Sequence, residues 1–157
     1  MGASRLLSFP SKLLSKRWSS FKGAGQKDEL VRSPNRNNFI LKDYFAPRYD
    51  DISRAVLDEK PDIIHFSSHG ERGKLIIEGE NLEPFSFKFL SDLLEENKVR
   101  AIILNACYSS LETSRLEEYS EFVIGCNLAV GDEAACEFTK GFIKVFMPLK
   151  MLIRLLK

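Results

Sequence analysis

Short apolar runs alternate with amphipathic segments over most of this 157-residue chain. Two runs are rich in β-branched residues, and each leads to a reactive side chain: Asp62–Ser67 precedes His69, and Arg100–Ala106 precedes Cys107. Runs of this length and content are typical of buried parallel strands. The pattern therefore predicts two buried strands with a histidine and a cysteine at their carboxyl ends.

The segments around these runs predict further elements. Apolar spacing along one face, after residues that commonly cap helices, predicts helices that begin near Asp50 or Asp51, Ser86 and Asp132. The last of these is expected to turn Ala134, Phe138 and Phe142 inward. Further strands are predicted over 39–45, 74–78 and 121–125, a short helix over 111–119, and a helix interrupted by Pro10 over 6–21.

Strands and helices alternate from residue 39 to residue 146. This order predicts an α/β fold with a mostly parallel sheet and helices on both faces. The segment between His69 and Cys107 is long enough to be a crossover between parallel neighbours. Because sites in open α/β sheets collect at the carboxyl ends of strands, we expect these two residues at one edge of the sheet.

Composition narrows the class of protein. Hydrophobic residues make up 44% of the chain, enough for a core, and the net charge of +1 gives no sign of nucleic-acid binding. No apolar stretch reaches the roughly 18 residues of a membrane span. The three cysteines, Cys107, Cys126 and Cys136, are too few for a disulfide framework, so a reducing, cytoplasmic location is expected.

The first 27 residues contain no acidic side chain and several basic ones. Residues 1–37 are therefore predicted to be a basic arm or helix followed by a linker. The alternative for this segment is a mitochondrial transit peptide. At the other end, residues 147–157 form a short tail that is both apolar and basic.

Cys107 and His69 are the candidate nucleophile and base. A cysteine nucleophile needs a base that removes its proton, access to solvent, and hydrogen-bond donors for the oxyanion. The backbone N–H groups of Gly70 and of Cys107 itself are candidate donors, since glycine allows a substrate carbonyl to approach closely. The alternative is that Cys107 is a small residue of the core.

Two other polar residues each have two interpretations. His65 lies in the middle of a predicted strand and is expected to be a buried, hydrogen-bonded structural residue. A metal site with His69 is disfavoured, because the two would lie roughly 13 Å apart along a strand, and no metal or cofactor is predicted. Asp132 is either the cap of its helix or an acid that recognises a basic substrate residue.

Several segments resemble the CHAT domains, caspase-like members of the clan of cysteine peptidases that includes separases, gingipains and metacaspases. The resemblance covers about residues 38–146. It is carried by three blocks in order: His65–Gly70, Leu104–Ser109, and a third that runs from Val123–Cys126 through Gly131–Ala135 to Phe138 and Gly141–Phe142. The lead-in Asp50–Leu57, with Lys60–Pro61, also fits.

The resemblance implies a three-layer caspase-like fold for residues 38–146, with His69 and Cys107 as a catalytic dyad. It implies hydrolysis of a protein or peptide substrate through a thioester acyl-enzyme, and a regulatory protein partner. The family's first apolar strand is not evident before Phe39, and its C-terminal extension is not evident after residue 146. Two functions are therefore open: a cysteine endopeptidase, or an inactive or truncated interaction and signalling module of the same fold.

Overall fold

The computed structural model describes residues 4–10, 39–44, 47–71, 74–78, 82–129, 131, 134, 137–138 and 141–142. Within these residues the strands are β1 (Ser4–Pro10), β2 (Phe39–Asp43), β3 (Ile63–Ser67), β4 (His69–Glu71), β5 (Lys74–Glu78), β6 (Leu82–Ser86), β7 (Val99–Asn105) and β8 (Ser120–Gly125). Two α-helices, α1 (Tyr49–Glu59) and α2 (Phe87–Leu94), and a 3₁₀ helix (Ser109–Arg115) connect them.

Five of these strands form one parallel sheet in the order β2-β1-β3-β7-β8. The predicted α/β fold with a parallel sheet is thereby confirmed, and the two runs that lead to the histidine and the cysteine are direct neighbours, as β3 and β7. The strands β4, β5 and β6 form a small antiparallel sheet. The single segment predicted over 74–78 is the middle strand of this second sheet.

The position of β1 corrects the prediction for the start of the chain. Ser4–Pro10 is a strand between β2 and β3, with Leu6 paired to Leu41 on one side and to Ile63 on the other. The helix predicted over 6–21 is therefore wrong for residues 6–10. The expectation that no strand precedes Phe39 is also wrong; residues 11–38 lie outside the described ranges.

Side chains alternate between the two faces of the sheet along each strand, and both faces carry buried residues. One face joins the inward side chains of α1 and α2 in a single hydrophobic cluster, whose strand members are Leu7, Phe9, Ile64, Phe66, Ile102 and Leu104. On the other face Leu6, Ala101 and Ile103 are buried beside polar residues. The helices α1 and α2 thus lie against the first face, and the predicted helix layer on the second face remains a prediction.

The ends of both α-helices follow from local chemistry. Ser86 caps α2 as predicted, because its hydroxyl accepts a hydrogen bond from the N–H of Phe89 at 3.1 Å. At α1, Asp51 does not occupy the capping position; its carboxylate accepts from the N–H of Arg48 one turn earlier, at 3.0 Å. Pro61 follows the C-cap of α1, Lys60, at a position where proline cannot continue a helix.

Two helix predictions need correction. The short helix expected over 111–119 is a 3₁₀ helix, Ser109–Arg115, and Leu116 directly after it is buried. Ala134 and Phe138 were expected to face inward, yet both are exposed, and Phe142 is half-buried. None of the helices in the described ranges is both long enough and apolar enough to cross a bilayer.

Candidate active site

The carboxyl ends of β3 and β7 lie side by side. Ser67 and Asn105, the last residues of the two strands, are paired in register, and both are buried. One residue further, the N–H of Ser68 donates a hydrogen bond to the carbonyl of Asn105 at 3.4 Å. This contact extends the pairing past the end of the sheet, to the point where the chain reaches His69.

Gly70 packs against the backbone of Cys107. A Cβ atom at position 70 would lie 2.9 Å from the Cys107 nitrogen and 3.1 Å from its carbonyl carbon, and closer still to the carbonyl oxygen. Residues on both sides of His69 therefore contact the end of the strand that leads to Cys107. The absence of a side chain at Gly70 is required by Cys107 itself, which sequence reasoning did not anticipate.

Both members of the predicted dyad are accessible. His69 is exposed and Cys107 is half-buried, so the alternative of Cys107 as a fully buried core residue is wrong. The structure thus places the two side chains on neighbouring segments at one sheet edge, within reach of solvent, as a cysteine nucleophile and its base require.

The chain turns sharply after Cys107. Tyr108 has a φ of 55°, in the left-handed region that non-glycine residues adopt rarely. Its N–H donates to the carbonyl of Leu128 at 3.4 Å, and both side chains are exposed. A strained residue next to a reactive one is a recurrent feature of functional sites.

The side chain of Ser109 stabilises this turn through hydrogen bonds. Its buried hydroxyl lies 2.9 Å from the carbonyl of Leu104 and 2.8 Å from that of Ala106, and it accepts the N–H of Cys126 at 2.9 Å. The single hydroxyl proton serves one of the two carbonyls at a time. Ser109 therefore ties both sides of Cys107 to the end of β8.

Replacing Ser109 with alanine is expected to lower the free energy of unfolding by about 1–3 kcal/mol, because buried polar groups lose their partner. Ser114 is an exposed residue of the same 3₁₀ helix, so Ser114→Ala is the matched control and should change stability by less than about 0.5 kcal/mol. Urea unfolding followed by circular dichroism measures both. Equal stability of the two variants would contradict the role given to Ser109.

His65 is buried in the middle of β3, as predicted. Its Nδ1 lies 3.4 Å from the hydroxyl of Ser8 on β1, and its Nε2 has no hydrogen-bond partner among the residues that the structure describes. Burial lowers the pKa of His65 to about 4, so the ring is neutral at physiological pH. His65 is paired in register with Ser8 on β1 and Ile103 on β7, within the parallel sheet.

Sequence reasoning missed the part that Cys126 plays at this edge. The residue follows β8 directly and is half-buried between the ends of β7 and β8. Gly125 before it is required by close packing, since a Cβ there would lie 2.8 Å from the nitrogen of Ser110. The sequence does contain a signal for this role. The apolar run over 121–125 leads directly to Cys126, just as the first two runs lead to His69 and Cys107.

Asp132 and Cys136 lie outside the described residues, so the two interpretations of Asp132 stand as they were. Across the described ranges, no group of three or more His, Cys, Asp or Glu side chains is arranged to hold a metal ion. A scan against models of protein families and a search among curated proteins both find no match to this sequence. The interpretation of the site therefore depends on its geometry and on the sequence pattern.

Proposed function

We propose that this chain is a caspase-like cysteine endopeptidase of the CHAT type, with Cys107 as nucleophile and His69 as base. One observation carries the proposal. Cys107 and His69 follow neighbouring parallel strands, and the residues on either side of His69 contact the segment from Asn105 to Cys107. The sheet that supports this edge includes β1, so the proposed domain begins at or before Ser4 rather than at residue 38.

In the proposed reaction His69 takes the thiol proton of Cys107, and the thiolate attacks the carbonyl carbon of a peptide bond. The backbone N–H groups of Gly70 and Cys107 are the proposed donors to the resulting oxyanion. The intermediate then expels the amine, which takes its proton from His69, and leaves a thioester on Cys107. A water molecule, deprotonated by His69, hydrolyses the thioester and restores the thiol.

The predicted role of Asp132 belongs to this proposal. A carboxylate beside the nucleophile would favour a substrate with lysine or arginine before the cleaved bond. If Asp132 is only the cap of its helix, no preference for basic residues follows from it. The substrate panel used to test the function should therefore sample every residue type at that position.

The experiment is a cleavage assay with the purified full chain, fluorescently labelled casein, and fluorogenic peptides that carry each amino acid before the cleaved bond. Cys107→Ala should abolish cleavage, and His69→Ala should lower its rate about 100-fold or more. Cys136→Ala is the control for removal of a cysteine and should retain the wild-type rate. Circular dichroism shows that each variant keeps its fold.

A second measurement separates the peptidase from an inactive module of the same fold. Iodoacetamide at neutral pH should alkylate Cys107 at least about tenfold faster than Cys126 and Cys136, and His69→Ala should remove this difference. Peptide mapping by mass spectrometry gives the three rates. Cleavage that survives Cys107→Ala, or slow and equal labelling of all three cysteines, would refute the peptidase and leave the interaction module.

A further inference from the structure

The segment that carries Cys107 and the segment that carries Cys126 are joined by several hydrogen bonds. The N–H of Cys126 donates to the hydroxyl of Ser109 at 2.9 Å, and the carbonyl of Cys126 accepts the N–H of Ser110 at 3.1 Å. The thiol of Cys126 lies 3.9 Å from the carbonyl of Leu104. Cys126 therefore contacts the chain both before and after Cys107.

We propose that Cys107 and Cys126 form a redox pair: a hydroperoxide oxidises Cys107, and Cys126 then closes a disulfide with it that blocks the nucleophile. The inference deepens the proposed function, on which it rests for the reactivity of Cys107, by assigning a modification site that regulates the same edge.

The thiol of Cys126 lies beside the backbone that leads to Cys107: its sulfur is 3.9 Å from the carbonyl of Leu104, and it has a hydrogen bond with the backbone of Ala106. Leu104 on β7 is paired with Gly125 on β8, and neighbouring strands lie about 4.8 Å apart. Cys126 comes one residue after this pair, and Cys107 comes three residues after it, directly before the turn at Tyr108. The hydroxyl of Ser109 lies 2.8 Å from the carbonyl of Ala106 and accepts the N–H of Cys126, so it connects the two segments. A disulfide needs Cα atoms about 4.4–6.8 Å apart, so its closure requires the turn at Cys107 to bring the two residues to that spacing.

The chemistry balances with hydrogen peroxide as the oxidant. The thiolate of Cys107 attacks one peroxide oxygen, which gives a sulfenic acid on Cys107 and releases hydroxide. The sulfur of Cys126 then attacks the sulfenic sulfur; the S–S bond forms and the oxygen leaves as water with the proton of Cys126. In total two thiols and one peroxide yield one disulfide and two waters, and a dithiol such as dithiothreitol reverses the result.

The two cysteines differ in a way that fits this division of roles. Burial raises the pKa of the Cys126 thiol, and the nearby Cys107 raises it further, while a backbone hydrogen bond with Ala106 lowers it. Cys126 is therefore protonated at neutral pH and reacts slowly with peroxide on its own. Cys107, which shares its sheet edge with the exposed His69, is the residue expected to be oxidised first.

The test treats the reduced full chain with a small excess of hydrogen peroxide and measures its intact mass and a non-reducing peptide map. We expect the loss of two hydrogen atoms and a cross-linked peptide pair that contains Cys107 and Cys126. Alkylation of Cys107 by iodoacetamide should fall at least about tenfold and recover after dithiothreitol. These readouts do not depend on peptide cleavage, so a disulfide that forms in a chain without peptidase activity would refute the proposed function and keep the redox pair.

Two variants complete the test. Cys126→Ser should give Cys107 with added oxygen atoms and no cross-link, and its lost reactivity should not return fully after reduction. Cys136→Ser should form the same disulfide as the wild type. A wild-type chain that gains oxygen on Cys107 without cross-linking, links Cys107 to Cys136, or links only between molecules would overturn the proposal. This wild-type result stands even if Cys126→Ser fails to fold.

Discussion

Gly70→Ala is expected to lower the free energy of unfolding by about 3 kcal/mol. The added methyl group would overlap the backbone of Cys107, and a backbone, unlike the end of a flexible side chain, yields only if a whole segment moves. Either β4 or the turn after Cys107 must shift, so the variant should also lose the close contact between the His69 and Cys107 segments. Urea unfolding of wild type and variant measures the stability change.

Gly141 provides the matched control for this substitution. It is an exposed helical residue, and a Cβ added there would have no atom of the described part of the chain within 4 Å. Gly141→Ala should therefore be neutral or stabilising by up to about 1 kcal/mol, because alanine favours helices more than glycine does. If Gly70→Ala unfolds at the same urea concentration as Gly141→Ala, the packing of Gly70 on Cys107 is wrong.

The second large effect is a loss of folding stability at acidic pH that comes from His65. Folded His65 has a pKa of about 4 against 6.5 for the unfolded chain, so between these values the unfolded state binds a proton that the folded state does not. Above about pH 6.5 the ring is neutral in both states, so His65 does not lower the free energy of unfolding there. As the pH falls toward 4, the free energy of unfolding should drop by about 3 kcal/mol through this residue, and the loss levels off below that.

Carboxylates also titrate in this range, so the measurement compares wild type with His65→Gln. Glutamine cannot gain a charge, and the stability difference between the two proteins should shift by about 3 kcal/mol in favour of the variant between pH 7.5 and pH 4. A pH-independent difference would contradict the buried, neutral histidine. If the variant does not fold, titration of the His65 ring by NMR gives its pKa directly, and a value near 6.5 would contradict it equally.

The sequence predicted the central strands of this fold better than its beginning. β3 and β7 were predictable because each is a continuous apolar run rich in isoleucine, with clear breaks on both sides. β1 was missed because Leu6 to Phe9 is too short a run to distinguish a strand from a helix, and Pro10 suggested an interrupted helix. Its place between β2 and β3 depends on pairing with residues that are distant in sequence, and a local pattern of apolar residues carries no information about such pairing.

The candidate site, like the fold, could be predicted from the sequence only in part. The placement of His69 and Cys107 at one edge followed from the parallel crossover, a rule of topology that applies without coordinates. The contacts of Gly70 and the hydrogen bonds of Ser109 depend on distances between segments that only the folded chain defines. The role of Cys126 could not be predicted, because its neighbours in sequence include no histidine, whereas its neighbour in space is the segment of Cys107.

The position of β1 in the sheet has a consequence for the order of folding. Ser4 pairs with Phe39 and Leu6 pairs with Ile63, so the sheet has a high contact order around its earliest strand. During synthesis β1 leaves the ribosome with both of its hydrogen-bonding edges unpaired, and it stays so until β2 and then β3 have followed. Leu6, Leu7 and Phe9, all buried in the finished fold, are exposed for that interval. The nascent chain is therefore expected to depend on chaperone protection of this segment until residue 67 has emerged.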